Sequence, residues 1–260
     1  MKLEAVNTHE RDPFILFDEE THTYHWNNIR FTSVTTWINS FFPKFDMNLT
    51  IKKMMSSPKW KYNPLYGKTC NEIIEIWTTN NLHAVQEGTK LHRDIELFYN
   101  DIQIDNKSLE YSYFRNFVKD HYYLIPFRTE WKIFIEEFQT AGTIDMVFKK
   151  TNGKLDIYDW KRCKQIKTTN FFKKFASAEF LQHIPDTNYM HYCLQLNIYK
   201  YILEKKYNYM VDQMFLVCLH PENKNKNYLL YQVPHLKKEI DLIFNYIQTT
   251  LQKPSESDTT

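Results

Sequence analysis

The sequence predicts an α/β fold, a central mixed β-sheet flanked by helices, on three observations. Ala141 to Lys161 reads as two β-rich strands joined at Asn152-Gly153, the strongest short hairpin signal a sequence offers. Stretches with apolar residues at helical spacing alternate with stretches of strand character along the rest of the chain. A length of 260 residues that are 43% hydrophobic can bury one sizeable core, or a core with a small lobe.

The elements follow in order. Residues 14–31 alternate well enough for short strands, with Asn27-Asn28 as a turn between them. Ser33 is placed to cap a helix that runs to Phe41 and stops before Pro43. Residues 44–69, with Pro58, Pro64 and several lysines, read as a mobile, partly helical basic insertion. Asn71 to Thr79 and Ala84 to Asn100 read as two helices, the second with Leu91, Ile95 and Phe98 as its apolar stripe. Another helix is expected over 108–123, then a strand over 127–138 leading into the hairpin. A link over 162–190 precedes a helix over 191–207, strands over 213–218 and 228–233, and a closing helix over 236–251. This makes residues 1–253 one domain, with 84–235 as its core and a disordered tail over 254–260.

Charge and cysteines exclude several classes. A formal net charge of +2 gives no global field, so any surface for nucleic acid must be local. Cys70, Cys163, Cys193 and Cys218 form no C-x-x-C pair, which argues against a zinc module, an iron–sulfur cluster and a disulfide framework. Residues 1–11 contain Glu4 and Glu10 and no apolar stretch, so they do not read as a signal peptide. The longest apolar run, Met214 to Leu219, is too short to span a bilayer, and a soluble intracellular protein without membrane contact is expected.

The hairpin carries the chemistry. With a two-residue loop, Asp145 and Asp159 fall on opposite faces. With a three-residue loop and Gly153 in the left-handed conformation, Lys150 pairs with Lys154 and Asp145 lies opposite Asp159, with Lys161 on the same face. The other face is then Ile144, Met146, Phe148, Tyr158 and Trp160. Two opposed carboxylates repel unless a cation lies between them, and a divalent ion with Lys161 beside it is the arrangement that cleaves phosphodiesters. Away from the hairpin, His92 and Glu96 share one face of a helix a turn apart, as do Gln195 and Tyr199. Glu130 reads equally well as a further acidic member of the site or as a surface carboxylate.

These residues resemble the PD-(D/E)XK nuclease superfamily in its RecB-like branch. Asp145 with Asp159-Trp160-Lys161 matches the defining pattern, Gly88-Thr89-Lys90-Leu91-His92 the helix with a histidine ligand, and Gln195 to Tyr199 the Q-x-x-x-Y helix. The motifs stand in the family's order over about residues 84–203, and are most similar to the mitochondrial genome maintenance exonucleases and related enzymes of phages and large DNA viruses. The resemblance implies a restriction-endonuclease-like core and one or two Mg²⁺ or Mn²⁺ ions held by His92, Asp145, Asp159 and the main-chain carbonyl of Trp160. It implies that Lys161 acts on the attacking water or the transition-state charge, that Gln195 and Tyr199 orient the lysine or a phosphate, and that Glu96 holds a metal-bound water or a group that contacts a metal ligand.

The expected activity is that of a metal-dependent deoxyribonuclease, an exonuclease preferring single strands or free ends. A structure-specific endonuclease on the same site and a catalytically silent nucleic-acid-binding module are the alternatives. Arg162, Lys164, Lys167, Lys173 and Lys174, interleaved with Phe171, Phe172 and Phe175, are the candidate DNA contacts; a solvated connector would have the same composition.

Overall fold

A computed structural model describes residues 2–171 and 173–252. Phe172 and the 254–260 tail therefore lie outside the described residues. After a short helix α1 (Leu3–Val6), three antiparallel strands follow: β1 (Leu16–Asp18), β2 (Thr23–Trp26) and β3 (Ile29–Ser33). Asn27 and Asn28 turn β2 into β3 with φ of 47° and 63°, the left-handed region that asparagine tolerates. Helix α2 (Val34–Ser40) starts where the Ser33 side chain accepts the Thr36 N–H.

Residues 44–69 are partly helical, as expected. Helix α3 (Met47–Met55), capped by Asp46, packs against α4 (Cys70–Tyr99), and Ile51 and Ile73 are fully buried. The apolar face of α3 gives this segment a packed place despite the prolines that follow it. Helix α4 also joins what read as two helices. Asn80, Asn81 and His83 are weak helix formers, but without Gly or Pro a helix already nucleated by the Thr69–Glu72 capping box continues through them.

Helix α5 (Leu109–Asp120), capped by Ser108, leads to β4 (Pro126–Ile135), β5 (Thr140–Lys149) and β6 (Leu155–Lys161). Strand β4 ends earlier than expected because Glu136–Phe138 form a 3-10 turn closed by Gln139 in the left-handed region. The order is completed by α6 (Asn188–Lys206), β7 (Val211–Cys218), β8 (Leu229–Gln232) and α7 (Lys237–Leu251). The fold is α/β: a mixed eight-stranded sheet in the order β1-β2-β3-β5-β6-β7-β8, with β4 paired along the other edge of β5. Strands β3 and β5 are parallel, as are β6 and β7.

The hairpin takes the three-residue register. Gly153 has φ +82° and donates its N–H to Lys150 O, while Lys150 N donates to Lys154 O. One face of the sheet packs Val147, Ile157, Met214 and Leu216 against α6 and α7. The other packs Met146, Phe148, Tyr158 and Trp160 against Leu91 and Ile95 of α4 and Phe114 and Phe117 of α5. Ile144, expected on that second face, belongs to the first core instead, since the regular pleat is lost beside Asp145. Among the described residues no helix is long and apolar enough to cross a membrane.

Candidate functional site

The site lies where β5 changes partners. Its ladder to β6 stops at Met146–Tyr158, and β3 joins β5 only at Thr140 and Ala141. In the gap, the β6 register sets Asp145 across from Asp159, and the Trp160 N–H donates to Asp145 Oδ2 at 2.8 Å where a continued ladder would use a main-chain oxygen. On the opposite edge, the pairs Thr129–Met146 and Trp131–Ile144 set Glu130 across from Asp145. Glu130 has φ +45°, a left-handed conformation uncommon outside glycine. Three carboxylates thus lie side by side across three strands.

Helix α4 adds the histidine. His92 Nδ1 stands 3.5 Å from Asp145 Oδ2 and 4.0 Å from Glu130 Oε1. Potential ligand atoms of His92, Glu130 and Asp145 all fall within 4.8 Å of one another. Glu96, one turn further along, acts on Glu130 through its charge. Asp159 is 2% exposed, and Lys161 Nζ approaches its Oδ2 at 2.5 Å. That contact is a close ion pair, the ammonium held against the buried carboxylate.

Lys161 is positioned from α6. Its Nζ is 3.5 Å from Gln195 Oε1 and 4.4 Å from the centre of the Tyr192 ring. Gln195 Nε2 in turn donates to Tyr199 OH at 3.0 Å. Tyr199 fits because Gly142 on β5 has no side chain: a Cβ there would lie 2.5 Å from Tyr199 Cε1. Gly142→Ala is expected to force Tyr199 aside, at a cost of roughly 1–3 kcal/mol; thermal melting of variant and parent checks this.

Electrostatics follow from crowding. Burial pushes the Glu130 carboxyl up to about 9, with Asp145 and then Glu96 adding to it. Burial also pushes Asp159 up to about 6, Lys161 opposing and Asp145 adding. For Lys161, burial works against the ammonium, but Asp159 and Asp145 outweigh it and raise its pKa.

Both carboxyls bind protons in the folded chain that they would release on unfolding. For Glu130 this holds between the ordinary 4.5 and about 9, and for Asp159 between 3.8 and about 6. Through these windows the folded state binds more protons than the unfolded, so stability falls as pH rises. The melting temperature of EDTA-treated protein is expected to drop between about pH 5 and pH 8, and Mn²⁺ to flatten that slope by taking the protons' place. Parallel curves with and without Mn²⁺ would contradict this.

The structure brings Asp145, Asp159, Lys161, His92, Glu96, Gln195 and Tyr199 to one place, and buries the Trp160 side chain in the α4/α5 core. It adds Glu130 and Tyr192. Tyr192 falls three residues before Gln195 and seven before Tyr199, so a helical stripe could have revealed it. The basic residues differ among themselves. Arg162 is turned inward, its Nε bonded to Glu110 Oε1 at 2.8 Å with both side chains largely buried, so its guanidinium is not presented to solvent. Lys164 is exposed and pairs with Glu222 at 2.8 Å; Lys167, Lys173 and Lys174 are exposed.

No protein-family model and no curated protein matches the chain. The solved structure of SSO0001 aligns with it at a TM-score of 0.35 and 13% sequence identity, over 85% of this chain and 76% of that chain, a likeness that carries no argument about activity.

Proposed function

We propose that the protein is a divalent-metal-dependent DNA exonuclease of the PD-(D/E)XK type, acting on single strands or free ends. The observation that carries this reading is the convergence of Asp145, Asp159, Glu130 and His92, with Lys161 beside them, at the splayed strands β5 and β6. The cluster suits a cation by its own chemistry. It holds a buried carboxylate, carboxyls whose pKa is raised by burial and then by a neighbouring carboxylate, and a histidine nitrogen facing two of them.

Mg²⁺ or Mn²⁺ there would acidify a water and offset charge on the phosphoryl oxygens. His92, Glu130, Asp145 and Asp159 would hold the ion. Lys161 would present a fixed ammonium to the developing charge, its place set by Asp159, Gln195 and the Tyr192 ring. Tyr199 would keep Gln195 from turning away. The exposed Lys164, Lys167, Lys173 and Lys174, with the aromatic Phe171, would track phosphates and stack bases; Arg162, tied to Glu110, would brace α5 against the end of β6.

The reading is tested by offering linear and covalently closed circular single-stranded DNA with Mg²⁺, Mn²⁺ or EDTA. The exonuclease reading expects the linear strand to be degraded in either metal, the circle to survive, and EDTA to stop the reaction. A cut circle would turn the reading to an endonuclease, and no cleavage at all to a binding module. His92→Ala is expected to weaken Mn²⁺ more than Mg²⁺, because an imidazole contributes relatively more to the softer ion; calorimetric titration with each metal measures it.

A further inference from the structure

The cysteines, scattered in sequence, include one close pair in space. Cys163 stands two residues beyond Lys161, past the end of β6, and Cys218 is the last residue of β7. Their Sγ atoms are 3.9 Å apart, both thiols are free, and the Cys218 S–H donates to Cys163 O at 3.1 Å. Cys218 is fully buried while Cys163 is partly exposed, so a reagent reaches Cys163 first.

A shared metal ion is the weaker explanation. Among the described residues no third Cys, His, Asp or Glu joins the two sulfurs in a ligand cluster, whereas structural zinc takes four protein ligands. A disulfide needs only that the sulfurs close to about 2.05 Å. Cys163 can supply that movement, since the described residues between Lys161 and Glu179 belong to no helix or named strand. The adjacent Cys218 thiol lowers the Cys163 pKa; burial opposes this and the Lys161 charge assists, which favours the thiolate that attacks disulfides.

We propose that Cys163 and Cys218 are an oxidisable dithiol that closes to a disulfide between the ends of β6 and β7 and shifts Lys161. The oxidant is a low-molecular-weight disulfide. The Cys163 thiolate attacks one of its sulfurs, that S–S bond breaks, and one small thiolate leaves. Cys218 then loses its proton to water and attacks the Cys163 sulfur of the mixed disulfide, expelling the second small thiolate. Two protein thiols are oxidised and one small disulfide is reduced to two thiols. The closure would pull on the segment that holds Lys161, whose carbonyl accepts the Leu219 N–H at 2.9 Å and whose ammonium is set between Asp159 and Gln195.

The effect on catalysis rests on the nuclease reading, whereas the disulfide itself does not. The test treats the folded full chain with oxidised glutathione, alkylates free thiols, and maps peptides by mass spectrometry. A peptide linking Cys163 to Cys218, reversed by a thiol reductant and absent from Cys163→Ser and Cys218→Ser, is the expected result. Cys163 left alkylated, trapped as a mixed disulfide, or joined to Cys70 or Cys193 would overturn the proposal. Hydrolysis by the oxidised parent is expected to be about tenfold slower or more, from misplacement of Lys161, with Cys163→Ser indifferent to oxidant. Unchanged hydrolysis despite the mapped disulfide would overturn the coupling to Lys161. A reduced parent that hydrolyses nothing would refute the nuclease reading, and the peptide map alone would then decide the disulfide.

Discussion

Asp145→Asn is expected to reduce metal-dependent hydrolysis by more than about 100-fold while the fold persists. Outer-shell partners of a metal are worth roughly 10–100-fold, and a direct ligand at the centre of the cluster should exceed that. The substitution keeps an oxygen able to accept the Trp160 N–H, so the local backbone loses nothing. It removes a charge that raises the pKa of both Glu130 and Asp159, and so relieves repulsion in the metal-free protein. The apo melting temperature should therefore hold or rise, at about 2–4 °C per kcal/mol gained. Asp159→Asn should behave alike in activity. Wild-type hydrolysis by either variant, or a collapsed fold in Asp145→Asn, would contradict the assignment.

Lys161→Ala should separate chemistry from metal binding. The loss of a charge preorganised for the transition state costs on the order of 10²–10³ in turnover. Metal affinity should remain, because the ammonium is no ligand in this arrangement. The apo protein should lose stability: Asp159 is buried and Lys161 is its close counter-ion at 2.5 Å, and removing one partner of a buried pair leaves an uncompensated charge. A cation can replace the lost ammonium, so Mn²⁺ should raise the melting temperature of Lys161→Ala by more than that of the parent. Calorimetry and melting with Mn²⁺ decide this. Abolished Mn²⁺ binding in Lys161→Ala would give the lysine a structural role instead.

Much of this arrangement was legible in the sequence because strand pairing has only two side-chain parities. Once Gly153 closed a three-residue loop, Asp145 and Asp159 had to share a face, and the structure has that register. Helical spacing likewise placed His92 with Glu96 and Gln195 with Tyr199. What was not legible came from contacts distant in sequence or from broken regularity. Glu130 could not be told from a surface carboxylate because its approach depends on the β4 register and on a left-handed residue that no local pattern announces. Arg162 read as a phosphate contact because Glu110, its partner, lies 52 residues away. A separation of 55 residues likewise concealed Cys163 and Cys218, which meet because β6 and β7 are adjacent and parallel. The unbroken α4 was hidden by Asn80, Asn81 and His83, whose weak propensities are overridden once a capped helix packs at both ends.

The claim that the acidic cluster is a cation site is tested most directly by crystals grown with Mn²⁺ and measured for anomalous scattering. The account predicts a peak between His92, Glu130, Asp145 and Asp159, within about 2.0–2.3 Å of His92 nitrogen and the carboxylate oxygens, lost in Asp145→Asn. Strong Mn²⁺ peaks elsewhere, with none in the cluster at saturating metal, would contradict it.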